Sequence, residues 1–179
     1  MIYGLSGRNG SGKSTLIKLL SGFLCPSSGT ITYIKHDNII LPAGFFRYFS
    51  WVGPYTDVIQ EFTLKEMFAF QAKFKDWQYN LTFTEFLDIL EWKDTGNKKI
   101  SFFSSGMKQK LQLALAILAK TDVLLLDEPT SYLDNEAKTW FSSLLVKHAV
   151  DRVVIISSND RFDLDLSSEI LDITRWNKH

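Results

Sequence analysis

Gly4-Leu5-Ser6-Gly7-Arg8-Asn9-Gly10-Ser11-Gly12-Lys13-Ser14-Thr15 carries the spacing G-x-x-x-x-G-K-[ST]. Glycines at 7, 10 and 12 allow the backbone to curl so that successive N–H groups point inward at an anion. Lys13 adds a mobile positive charge for outer phosphate groups, and Ser14 offers a hydroxyl to Mg²⁺. The flanks suit this reading. Met1-Ile2-Tyr3-Gly4-Leu5 has the apolar character of a short buried strand. Residues 14–20 read as a helix closed by Gly22, with its positive end aimed at the same anion.

The chain has 179 residues, a length that suits one domain with a sub-domain inserted into it. Lys+Arg and Asp+Glu both number 20, so the formal charge is zero and a non-specific nucleic-acid binder is disfavoured. Cys25 is the single cysteine and has no internal disulfide partner, which suits a reducing compartment. No apolar run approaches the roughly 18 residues of a membrane helix. The first residues also lack a basic segment followed by an apolar stretch. Aromatics reach 14%, with 14 Phe and 5 Trp, which is compatible with an aromatic core or a partner surface.

Downstream, Pro26-Ser27-Ser28-Gly29 is a turn signal, and Thr30-Ile31-Thr32-Tyr33 after it reads as a strand. A further strand is expected at 48–52, stopped by Gly53-Pro54. Apolar residues at 64, 67, 68, 70 and 74 give a helical period over 64–74. A second helix is expected over 83–92 with Thr82 or Thr84 as cap, then a polar linker over 93–99 and a Leu/Ala-rich helix over 105–120. Val123-Leu124-Leu125-Leu126 and Val153-Val154-Ile155-Ile156 read as strands buried on both faces. Between them a helix capped by Asp134 runs to about residue 148, and a last strand is expected over 169–174. Apolar strands alternating with helices predict an α/β sheet, largely parallel. The consecutive helices over 61–120 read as a helical sub-domain, leaving a core of 1–60 and 121–179.

Leu126-Asp127-Glu128-Pro129 places two carboxylates at the C-terminal end of a buried strand, where ligands of open α/β sheets gather. Asp127 is suited to hold Mg²⁺ through water, and Glu128 to polarise an attacking water. Three further stretches follow in order. Phe103-Ser104-Ser105-Gly106-Met107-Lys108-Gln109 resembles an L-S-G-G-Q signature. Thr130-Ser131-Tyr132-Leu133-Asp134 resembles the loop after a second carboxylate. Val154-Ile155-Ile156-Ser157-Ser158-Asn159-Asp160 resembles a strand and switch segment. Together the five motifs resemble the ATP-binding subunits of ABC transporters over nearly the whole chain.

The resemblance implies a P-loop NTPase (RecA-like) core with a mostly parallel sheet and an inserted helical sub-domain. It further implies that Gly7, Asn9, Gly10, Ser11, Gly12, Lys13, Ser14 and Thr15 hold the ATP phosphates, Ser14 and Asp127 hold Mg²⁺, and Glu128 is the catalytic carboxylate. Ser104 and Gly106 would contact the γ-phosphate of ATP held by a second ATP-binding subunit, identical or different. A helix N-terminus with a hydroxyl can bind phosphate; Ser104 equally reads as a plain N-cap. The implied partners are that second subunit and a separate transmembrane permease, with no nucleic acid. The implied place is the cytoplasm, peripheral on the inner face of the membrane.

Four departures from the family pattern bear on activity. The usual glutamine after the second strand aligns with Pro54, which has no side-chain oxygen; Gln60 could replace it only through a rebuilt loop. The switch histidine is Asn159, whose amide can hydrogen-bond a γ-phosphate but takes no proton near neutral pH. The signature reads Ser-Ser-Gly-Met, so Ser105 is expected to take a backbone shape normally given to glycine. The chain also begins later than the pattern, without edge strands and an adenine-stacking aromatic, which reads as a shortened N-terminus. Pro54 and Asn159 leave open a low-turnover regulatory nucleotide-binding module as the alternative to a transport-driving ATPase. His36, His148 and His179 do not cluster with Cys25, so no zinc-type site is expected, and His148 is expected to face solvent. Trp51, Tyr55 and Phe62 read either as contacts for a membrane partner or as core.

Overall fold

Strand β1 (Ile2–Ser6) runs directly into the glycine-rich loop, and helix α1 (Lys13–Leu20) leaves it, in a computed structural model that describes residues 1–40, 42–54 and 56–176. Tyr55 and His179 lie outside the described residues. Strands β4 (Phe49–Val52), β5 (Val123–Asp127), β6 (Val153–Ser157) and β7 (Glu169–Asp172) join β1 in one sheet of order β4-β5-β6-β1-β7. Every pairing in it is parallel. The apolar run of β5 is buried as expected, with Leu124, Leu125 and Leu126 wholly so. In β6, Val154 and Ile156 are wholly buried but Val153 is exposed and Ile155 half-buried, so its two faces are not equally covered.

The chain divides into two compact units. The first comprises Met1–Gly53, Thr121–Pro129 and Asp151–His179 and contains the whole sheet. Its core gathers Leu5, Ile17, Phe45, Phe49, Leu125 and Ile173, with Trp51 packed against that cluster and its ring 5.5 Å from Phe23. Tyr33 braces the end of α1 from outside: its hydroxyl lies within donating distance of the carbonyls of Leu19 (3.2 Å) and Leu20 (3.0 Å). Burial raises the Tyr33 phenol above its ordinary pKa. At the edge of the sheet opposite the glycine-rich loop, buried Arg152 donates to Thr121 Oγ1 (2.6 Å), which donates to Ser50 Oγ (3.1 Å). This chain links the starts of β6, β5 and β4. Burial pushes the Arg152 guanidinium down to about 10, still above physiological pH.

Residues 30–33, expected as a strand, form none. The pairing lies just beyond, where β2 (Ile34–Lys35) and β3 (Asn38–Ile39) make a two-residue hairpin. Its turn residues His36 (φ 46°) and Asp37 (φ 64°) are both left-handed, as a type I′ turn demands. The missed signal was the turn itself, built from His-Asp rather than Asn-Gly.

The second unit comprises Pro54–Lys120 and Thr130–Val150 and is helical. It is wider than the 61–120 segment read from the sequence, because α5 (Asn135–His148) groups with it. Helices α2 (Leu64–Gln71) and α3 (Phe83–Leu90) each begin with a complete capping box, Thr63 with Glu66 and Thr82 with Glu85. Aromatics fill the space beneath them: Phe68 stacks on Trp77 (4.7 Å) and lies 5.1 Å from fully buried Phe86. Phe62 packs edge-on against Phe70.

Helix α4 (Ser105–Leu118) buries most of its surface. His148 is buried too, contrary to expectation: Nδ1 lies 2.9 Å from Gln78 Oε1 and Tyr79 covers the ring. The amide of Gln78 thus replaces the solvent expected around this imidazole. No described helix is long and apolar enough to cross a membrane.

Candidate functional site

The order of the strands determines what meets at the site. β6 lies between β1 and β5, so the loops after β1, β5 and β6 leave one edge of the sheet side by side. They carry the glycine-rich loop, the Asp127-Glu128 pair and Asn159.

In the glycine-rich loop, Gly10 (φ 78°) and Gly12 (φ 97°) occupy left-handed backbone that L side chains rarely adopt, and a Cβ at either would meet open space. Backbone conformation, not crowding, therefore selects glycine there. Gly12 is the N-cap of α1, and no side chain caps this helix or places an acid in its first turn. The leading N–H groups of the helix, at Lys13, Ser14 and Thr15, are thus left for an anion. Lys13 is buried, and its ammonium donates to Gly7 O (2.7 Å) and Asn159 Oδ1 (3.0 Å).

Asn159 is the centre of the constellation. Its Oδ1 accepts from Lys13, its Nδ2 donates to Asn9 Oδ1 and to Glu128 Oε1 (3.4 Å), and its backbone N–H donates to Glu128 Oε1 (3.2 Å). One amide therefore joins the cation of the loop to the carboxylate at the end of β5. Glu128 sits in left-handed backbone (φ 49°), an uncommon state for a residue with a Cβ. Its N–H donates to Ser157 O at 2.7 Å, which fixes the turn.

The two acids are each held by a serine that the sequence reading gave no role, one ending β6 and the other directly after it. Ser157 Oγ donates to Asp127 Oδ1 (2.8 Å), and the register pairs Asp127 with Ser157 directly. Ser158 Oγ contacts Glu128 Oε2 (3.0 Å) and Asp163 Oδ2 (2.7 Å). Asp163 lies on the short helix α6 (Arg161–Leu164) and is 1% exposed. The consecutive serines before Asn159 and an acid four residues after it were the available signal.

Asp127 Oδ2 is buried without a hydrogen-bond partner. A carboxylate oxygen in that state is costly unless a cation or water satisfies it, so the residues fit a hard cation such as Mg²⁺. Among the described residues no group of three or more His, Cys, Asp or Glu could hold a metal ion. Such a cation would therefore rely on Asp127, Ser14, water and ligand oxygens.

Ser104 and Gly106 belong to the second unit, at the head of α4. Ser104 is the N-cap, its Oγ accepting from Met107 N–H at 3.2 Å. Ser105 is the first helical residue and does not have the positive φ expected of a glycine position, because the helix begins at it. Gly106 is constrained by contact: a Cβ would come within 3.1 Å of the Tyr132 carbonyl. Gln60 is committed within this unit, its amide donating to Asp57 Oδ2 and accepting from Lys108 Nζ, both at 3.0 Å. Pro54 is exposed.

Comparison with known proteins adds to this geometry. The ABC transporter family model matches residues 1–131. An uncharacterized ABC transporter ATP-binding protein of Bacillus subtilis, YybJ, is 30% identical over 164 residues, covering 91% of this chain and 75% of that protein. Elongation factor 3 of Mycosarcoma maydis is 33% identical over 179 residues, covering 97% of this chain but 15% of its own length. Three other long relatives are likewise covered over 30% of their length or less. A putative ABC transporter ATP-binding protein from Pyrococcus furiosus has the same fold, with a TM-score of 0.79, 23% identity and coverage of 97% of this chain and 84% of its own. With its glycine-rich loop, its paired carboxylates on a P-loop NTPase sheet and a family match over most of its length, the chain belongs to the ABC transporter family.

Proposed function

We propose that the chain binds and hydrolyses ATP and so powers transport through a separate membrane-spanning partner. The observation that carries this reading is the Lys13–Asn159–Glu128 bridge, which brings the phosphate-binding cation and a carboxylate to one amide. The N–H groups at the start of α1 and the backbone of the loop bind the phosphates. The ammonium of Lys13, held by Gly7 O and Asn159 Oδ1, transfers to the outer phosphate oxygens when ATP enters. Asn159, released from Lys13, turns its Nδ2 from Asn9 and Glu128 to donate to the γ-phosphate. Glu128 orients the attacking water and takes its proton. When bound, Mg²⁺ on Ser14 and Asp127 supplies charge neutralisation for the phosphates.

Ser104 and Gly106 act on ATP held by a second subunit, where the start of α4 contributes N–H groups to the γ-phosphate. Two copies, or this chain and a paralogue, close around ATP and separate after hydrolysis; the helical unit docks on the permease at the inner face of the membrane. Replacing Glu128 with Gln tests the core of this reading. Binding of Mg-ATP is retained, hydrolysis falls by about 10²-fold or more, and an ATP-dependent dimer accumulates in light scattering. Unchanged hydrolysis in that variant overturns the assignment.

A second reading, a low-turnover regulatory module, is favoured by Pro54 and by Asn159, whose amide takes up no proton near neutral pH. Asn159→His separates the two. A rise in turnover marks a working ATPase slowed at this position, and no turnover in either form marks regulation.

A further inference from the structure

Ser158 and Asp163 lie behind Glu128, and neither takes part in the proposed reaction. Ser158 is wholly buried and Asp163 is 1% exposed. Three groups meet at Ser158 Oγ: the N–H of Asp160 (3.0 Å), Glu128 Oε2 (3.0 Å) and Asp163 Oδ2 (2.7 Å). A serine hydroxyl has one hydrogen and two lone pairs. Asp160 N–H occupies one lone pair, so two carboxylate oxygens lie within hydrogen-bond distance of a single hydrogen. The hydroxyl serves one of them at a time. When it points to Glu128, Oε2 is held and Oε1 stays turned to the backbone and side chain of Asn159. When it points to Asp163, Oε2 faces a lone pair and Glu128 loses this restraint.

We propose that Ser158 is a positioning residue for Glu128 and that buried Asp163 governs it by competing for the hydroxyl hydrogen. The inference rests on the reading of Glu128 as the group that activates water. It makes α6 a control element, because any displacement of Asp163 away from Ser158 hands the hydrogen to Glu128. The neighbouring serine has a single carboxylate within reach among the described contacts: Ser157 Oγ donates to Asp127 Oδ1.

The test is a double-mutant cycle on the full chain with Ser158→Ala, Asp163→Asn and the pair, measured as Mg-ATP turnover. Ser158→Ala lowers kcat about tenfold, the range seen when outer-shell partners are removed, and leaves KM for ATP unchanged. Asp163→Asn turns the competitor into a donor whose amide fills the remaining lone pair of Ser158. It raises kcat about twofold in the Ser158 background and has no effect on Ser158→Ala. Wild-type turnover in Ser158→Ala, or the same Asp163→Asn effect in both backgrounds, overturns the proposal. A nucleotide-free readout separates this result from the ATPase reading. The amide resonances of Asn159 and Asp160, which donate to Glu128 and Ser158, shift in Asp163→Asn only when Ser158 is present. If they do not move, the competition is absent whether or not the chain hydrolyses ATP.

Discussion

Helices α1, α2 and α3 are all eight residues long, yet their N-termini are built in opposite ways. In the helical unit, Thr63 and Thr82 accept the N3 amides of α2 and α3, and Glu66 and Glu85 reach back to the cap N–H groups at 2.8 Å. In the sheet unit, α1 begins at a glycine, has no capping side chain and no acid in its first turn. The first arrangement consumes the donors of the helix end and secures the fold. The second leaves the leading donors of the helix without a capping side chain. The open end of α1 is thus a place where an anion would supply what a capping side chain supplies at α2 and α3.

The strongest way to break this contrast is Lys13→Ala. It removes the cation of the open end and lowers Mg-ATP affinity by about a hundredfold, roughly 2.7 kcal/mol, in a titration with labelled nucleotide. The melting temperature of the nucleotide-free protein falls by less than that loss implies, since only the hydrogen bonds of Lys13 to Gly7 O and Asn159 Oδ1 go with it. Next is Gly12→Ala, which imposes about 1–2 kcal/mol of left-handed strain on the loop. Denaturant unfolding shows that loss, and nucleotide affinity falls with it, whereas a purely structural glycine would leave affinity alone.

Thr63→Ala and Thr82→Ala test the other side of the comparison. Each costs about 0.5–2 kcal/mol of stability and leaves nucleotide affinity where it was. The smallest effect is in the pH dependence. The backbone and side-chain hydrogen bonds of Thr63 hold the Glu66 carboxyl below its ordinary value, and the Thr82 side chain, with its backbone, does the same for Glu85. A depressed carboxyl contributes stability that is present above its unfolded pKa and lost as pH falls through the folded one. Wild-type stability therefore declines on acidification through and below the usual carboxylate range. The two Thr→Ala variants show a shallower decline there, measured by thermal melts at stepped pH.

The alternation of strand and helix, the phosphate loop, the acidic pair and the caps at Ser104 and Asp134 were legible because each rests on short-range pattern. The rest depended on contacts distant in sequence. The burial of His148 follows from Gln78, seventy residues earlier, and no local period announces it. The bridge at Asn159 depends on β6 lying between β1 and β5, a matter of strand order that no single motif encodes. Ser105 was misread by analogy with glycine, although the helix simply starts at that residue. The hairpin at 34–39 was missed because His36 and Asp37 take the left-handed turn without a glycine.

The placement of β6 has a consequence for exchange with solvent. Its backbone is paired on both sides, to β1 and to β5, whereas β4 and β7 each have one paired neighbour in the sheet. Amides at Val154–Ile156, numbered 154–156, should be among the last in the sheet to take up deuterium, and those of β4 and β7 among the first. Ser157 ends that strand, and Ser158 and Asn159 follow it directly. The residues that hold both acids and Lys13 are thus anchored to a strand paired on both sides.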